Sequence, residues 1–184
     1  MSNEKTVRNL MLAAMFVAVG FVLPMITGQV PQVGQMLLPM HIPVLLCGLI
    51  CGWRYGGVVG FVLPLARSML LGMPPLFPIA IAMSFELATY GIIAGLVYGL
   101  SRWQCTVAIY RALVVAMFAG RAVWGIVMAV LLGVGEGGFG MQLFVAGAFV
   151  NAVPGIILQL VLIPAIIVAL SRTGVLQFQK ARES

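Results

Sequence analysis

Residues 76–100, LFPIAIAMSFELATYGIIAGLVYGL, run for twenty-five positions with one charged side chain, Glu86. About 20 mostly apolar residues cross a bilayer as a helix. The stretch therefore reads as a membrane span with a carboxylate inside it. The surrounding chain has the same character: 62% of its residues are hydrophobic, 8% are charged and the mean hydropathy is +1.16. That is too little polar surface to cover a water-soluble globule. Reading between the polar and Pro/Gly breaks predicts six helices, at 8–26, 42–52, 54–71, 76–100, 107–132 and 143–170, the second and third short. No polar linker longer than a loop divides them, so residues 1–184 are expected to form a single all-α membrane domain.

Basic residues predict the orientation, because loops rich in Lys and Arg stay on the cytoplasmic side. Lys5 and Arg8 stand at the start of the first helix, Arg54 at the junction of the second and third, Arg102 and Arg111 at the junction of the fourth and fifth, and Arg172, Lys180 and Arg182 follow the sixth. The connections 27–41, 72–75 and 133–142 contain neither Lys nor Arg. Both termini are expected inside, and the net charge of +6 is then mostly a topology signal that gives no support to a nucleic-acid partner. The basic, then apolar start imitates a signal peptide, but no cleavage-like site followed by a soluble domain follows it, and it is read as the first helix. Cys47, Cys51 and Cys105 read as small core residues rather than a disulfide framework.

The outward connections are uncharged or nearly so. Residues 27–35 are polar, Gly72 to Pro78 carries three prolines that force a stiff, non-helical turn, and Gly133 to Gly140 is glycine-rich. They suggest one rigid rim piece and two mobile lids. Small residues recur at four-residue spacing (Ala14 and Ala18; Gly48 and Gly52; Gly56 and Gly60; Gly91, Gly95 and Gly99), as expected of helices that pack closely in lipid.

Catalytic and nucleotide signals are weak. Gly135, Gly137 and Gly140 fit the spacing of a dinucleotide-binding turn but join two apolar helices instead of a strand and a helix. No phosphate-binding loop with its lysine occurs, so the chain has no ATPase motif of that kind, and aspartate is absent altogether. His41 with Cys47 and Cys51 could be imagined as a soft-metal site, but scattered thiols and methionines in apolar helices more often serve packing, and no metal is expected.

Intramembrane charges are the stronger signal, since a charge at the bilayer centre costs about 3 kcal/mol or more unless paired or wetted. At about 1.5 Å per residue from the outward helix ends, Arg67 lies roughly 8 Å deep, Glu86 roughly 12 to 16 Å and Arg121 roughly 18 Å. One shared cavity could hold all three. Glu86, Thr89 and Tyr90 share a helix face, Arg121 and Trp124 are neighbours at i and i+3, and Asn151 and Gln159 mark a polar face on the sixth helix. Two readings stay open. Glu86 pairs with one arginine merely to tie helices together, or an uncompensated arginine grips the acidic group of a small ligand entering from outside.

The run Met40-His41-Ile42-Pro43-Val44-Leu45-Leu46-Cys47-Gly48, then Pro64-Leu65, Gly72-Met73-Pro74-Pro75-Leu76-Phe77-Pro78 and Phe85-Glu86-Leu87-Ala88-Thr89-Tyr90-Gly91, resembles the substrate-binding S components of energy-coupling-factor (ECF) vitamin transporters, most of all the pantothenate- and folate-type branch. The resemblance covers nearly the whole chain. It implies a six-helix bundle in a bacterial plasma membrane, a transmembrane T subunit and two ATPase subunits as partners that use ATP, no cofactor in this chain, and no enzymatic activity. It further implies that a loaded S component topples in the membrane to deliver its vitamin. Ala14-Met15-Phe16-Val17-Ala18 matches the A-x-x-x-A docking surface of the family's first helix. Pantothenate is the first expectation for the ligand, bound by Arg67, Glu86, Tyr90, Arg121, Trp124, Asn151 and His41. Folate, cobalamin, pyridoxine or a riboflavin-like vitamin, or an autonomous small carrier or channel, are the alternatives.

Overall fold

The computed structural model describes residues 2–27, 38–101, 105–133 and 153–172. Among them are six α-helices: α1 Ser2–Thr27, α2 His41–Cys51, α3 Trp53–Leu71, α4 Ile81–Gly99, α5 Thr106–Leu132 and α6 Val153–Arg172. α1 starts earlier than its apolar run because Asn3, Glu4 and Lys5 end the hydrophobicity without ending the helix. The proline-rich connection before α4 is an extended residue, Phe77, within a π turn over Leu76–Ala80. Residues 143–152 of the expected sixth helix, and most of the two expected lids, lie outside the described residues.

Among the described residues, four segments are long and apolar enough to cross a membrane: Glu4–Ile26, Leu76–Gly99, Thr106–Leu132 and Val153–Arg172. The other two helices expected as spans, α2 and α3, fall short of that criterion for different reasons. α3 has the length, but Arg54, Arg67 and its glycines dilute its apolar character. α2 has eleven residues, about 16 Å of helix against a hydrocarbon core of about 30 Å. α2 is also apolar all round and buried along its length except at Ile50, so it forms the centre of the bundle. The outer faces of the long helices carry exposed Val58, Phe118, Val130 and Val161, a surface suited to lipid.

Around α2 the backbones touch. A Cβ added at Gly48 would lie 2.5 Å from the Gly91 carbonyl oxygen, and one added at Gly56 2.6 Å from the Gly48 Cα. Three helices, α2, α3 and α4, therefore meet at glycines, where dispersion between closely spaced backbones replaces a hydrophobic drive that lipid does not provide. The small-residue stripes are not uniform in use: among the described residues nothing lies within 4 Å of where a Cβ would stand on Gly52 or Gly99, and Gly52 instead turns the chain from α2 into α3 at φ 95°. α3 and α4 run antiparallel, with Gly56 on Gly91 and Gly60 on Leu87. This register decides which buried charges can meet.

Candidate functional site

α4 carries Glu86 and Tyr90 one turn apart, both 1% exposed. The Tyr90 hydroxyl donates to Glu86 Oε1 at 3.1 Å, and Arg121 Nη1 of α5 approaches the same oxygen at 2.9 Å. His41, the first residue of α2, places Nε2 3.7 Å from that oxygen, and its ring packs on Tyr90 at 5.1 Å between centroids. Gly120 makes room for this: a Cβ there would sit 2.5 Å from the Tyr90 ring. Thus one glycine on α5 sets the tyrosine, and the tyrosine helps hold the carboxylate that receives Arg121.

Several polar nitrogens in and beyond this cluster are buried and unsatisfied. Arg121 Nε and Nη2, both ring nitrogens of His41 and Nε2 of Gln159 are buried and have no hydrogen-bond partner among the described residues. A buried donor without a partner costs about 1–3 kcal/mol, so such a concentration is more than packing calls for. Nε and Nη2 share one edge of the guanidinium plane. With Nη1 committed to Glu86, that edge presents two parallel N–H groups, the geometry that matches a carboxylate in bidentate fashion. Arg121 also borders a cleft of about 210 Å³ between α5 and α6, lined by Val114, Met117, Phe118, Ile156 and Leu160.

Of the residues singled out from sequence, His41, Glu86, Tyr90 and Arg121 come together. Arg67 does not. The α3–α4 register carries it to the level of Ala80, about 9 Å along the axis from Glu86, and its Nη1 donates to the Phe21 carbonyl of α1 at 2.8 Å. That carbonyl lies one turn before Pro24, within α1. Arg67 and Arg121 therefore do not share one cavity as expected, and Arg121 is compensated by Glu86 instead of standing alone. Trp124 is half-buried beside Ala82 and Met128, a turn from Arg121. The Thr89 hydroxyl is engaged by the Phe85 carbonyl at 2.7 Å. Asn151 lies outside the described residues. Gln159, read from sequence only as part of a polar face, is 1% exposed, and an amide in an otherwise apolar α6 was the available signal.

Ala14 and Ala18 lie on the exposed face of α1, while Ala13, Phe16 and Gly20 face the bundle. Cys47 and Cys51 are free thiols, and among the described residues no three His, Cys, Asp or Glu side chains converge as a metal site would require.

A helical bundle coated in apolar side chains, with a sealed cluster of polar donors between its central helices, defines a multi-pass membrane protein equipped to hold a polar group away from lipid. The family model of the ECF transporter substrate-specific component matches residues 8–168, and the chain belongs to that family. No curated protein and no solved structure gives a significant match. Membership makes the chain a substrate-specific transporter subunit and not an enzyme.

Proposed function

We propose that this chain is the capture subunit of an ECF-type importer, taking a water-soluble vitamin or vitamin precursor from outside, with pantothenate as the first candidate. The observation that carries the reading is the set of buried nitrogens on Arg121 and His41, beside Glu86, that have no partner among the described residues. Pantothenate brings a carboxylate, an amide and two hydroxyls, all acceptors of hydrogen bonds. Its carboxylate would take the free Nε/Nη2 edge of Arg121, while His41 and Gln159 would serve the remaining oxygens. Glu86 and Tyr90 fix the guanidinium in place and supply the counter-charge, so a ligand anion replaces missing hydrogen bonds without having to neutralise the arginine by itself. Trp124 and Asn151 remain candidates for the rim of the same site.

Transport is assigned to the assembly. The exposed Ala14 and Ala18 on α1 leave a flat strip on which helices of a T subunit could seat closely. Two ATPase subunits would supply the energy through ATP, and the loaded subunit would topple in a bacterial plasma membrane to release its vitamin inward. The test is calorimetry on the purified chain in detergent with pantothenate and a panel of other vitamins, paired with mass spectrometry of any co-purifying molecule. A saturable 1:1 heat with pantothenate supports the reading. Selective binding of a different vitamin replaces the substrate, and uptake into vesicles by this chain alone contradicts the capture-subunit role.

A further inference from the structure

On the outer face of the bundle, α3 and α4 border an open groove of about 570 Å³. Gly57 and Ala88 form its floor, Val58, Phe61, Val62 and Ile92 its walls, and Trp53 with Arg54 its one polar end. Phe61 is braced edge-on by Phe85 at 5.6 Å. The Arg54 guanidinium lies 5.2 Å from the centre of the Trp53 ring, and among the described residues no carboxylate pairs with it. From this arrangement we infer that the groove binds one anionic phospholipid, its acyl chain lying along α3 and its phosphate on Arg54.

Length, charge and volume agree on this occupant. From Trp53 to Val62 the groove follows α3 for about 13 Å, close to half of the roughly 30 Å hydrocarbon core, the depth of one leaflet. Its single cation sits at the end where headgroups lie, next to a tryptophan, the residue that favours the membrane interface. At about 570 Å³ the groove is on the scale of one small-molecule ligand. An acyl chain is thin enough to lie among Val58, Phe61, Val62 and Ile92 beside Ala88. The site is independent of the vitamin cluster, which faces the opposite side of α4.

Trp53 reports on the groove directly. In a Trp103→Phe, Trp124→Phe background of the full chain, fluorescence is read in phosphatidylcholine vesicles containing increasing fractions of chain-brominated phosphatidylglycerol, and in parallel with chain-brominated phosphatidylcholine as quencher. Half-maximal quenching is expected at about fivefold lower mole fraction for phosphatidylglycerol, the preference that one surface arginine confers. Arg54→Gln removes that preference, Ala88→Leu reduces quenching by either lipid, and Arg111→Gln, a surface arginine outside the groove, changes neither. Each variant is accepted only with a wild-type thermal midpoint. Equal quenching by the two lipids in the parent chain overturns the proposal, as does undiminished quenching in Ala88→Leu. Loss of quenching on reconstitution with T and ATPase subunits would make the groove a protein interface and overturn it too.

Discussion

Replacing Glu86 by Gln and Arg121 by Met, singly and together, separates the ion pair from its surroundings. At 2.9 Å two unit charges attract by about 6 kcal/mol at an effective dielectric of about 20. Burying each ion costs several kcal/mol, so the pair adds little over apolar side chains of the same size. Removing one partner is different. Arg121→Met leaves the Glu86 carboxylate buried in the bundle with only Tyr90 and His41 among the described residues, and Glu86→Gln leaves a buried guanidinium without its anion, each expected to cost about 3–5 kcal/mol. The double variant buries neither charge, and its stability is expected within about 1–2 kcal/mol of the parent chain, the scale of an ordinary core exchange. Denaturant titration in detergent micelles, followed by far-ultraviolet circular dichroism, measures all four corners of the cycle. Strictly additive single losses would refute the pairing.

Three further outcomes follow from the packing. Gly91→Ala forces a methyl group into the backbone of Gly56, and since backbone cannot rotate away, the loss should reach or exceed the roughly 3 kcal/mol upper range of overpacking; an unchanged unfolding midpoint would contradict the glycine contact. Arg67→Leu removes the tie to the Phe21 carbonyl and is expected to lower thermal stability while leaving vitamin affinity as it was; lost affinity in a stable variant would return Arg67 to the binding site. Ala14→Leu fills the exposed strip of α1 and should prevent co-purification with the T subunit without affecting ligand binding by the isolated chain, so intact co-purification would remove the docking assignment.

Glu86 was visible in the sequence because a lone carboxylate in twenty-five apolar positions has no other explanation than a partner or a ligand. Tyr90 followed from helical spacing. The partner did not. Arg67 and Arg121 give the same signal in one dimension, and only the register between α3 and α4, set by Gly56 on Gly91 and Gly60 on Leu87, decides that Arg67 passes Glu86 by. Periodicity reveals a glycine stripe without naming the helix that fills it, which is why Gly48 and Gly52 looked alike although one packs and the other turns the chain. Gln159 was noticed as a polar residue, yet its place among the unsatisfied donors depends on how α6 sits against the bundle. Membership of the family was legible from local runs around His41, Pro74 and Glu86, which are set by short-range sequence and need no register.

The central claim is that the Nε/Nη2 edge of Arg121, left free by Glu86, receives an acidic or acceptor-rich ligand. Arg121→Lys tests it most directly, because lysine keeps the charge and can still reach Glu86 but has no such edge. Calorimetric titration of the variant with the vitamin bound by the parent chain should show affinity lower by about ten- to a hundredfold, the share of a charge-assisted pair of hydrogen bonds, with the unfolding midpoint nearly retained. Parent-like affinity in a folded Arg121→Lys chain would contradict the account.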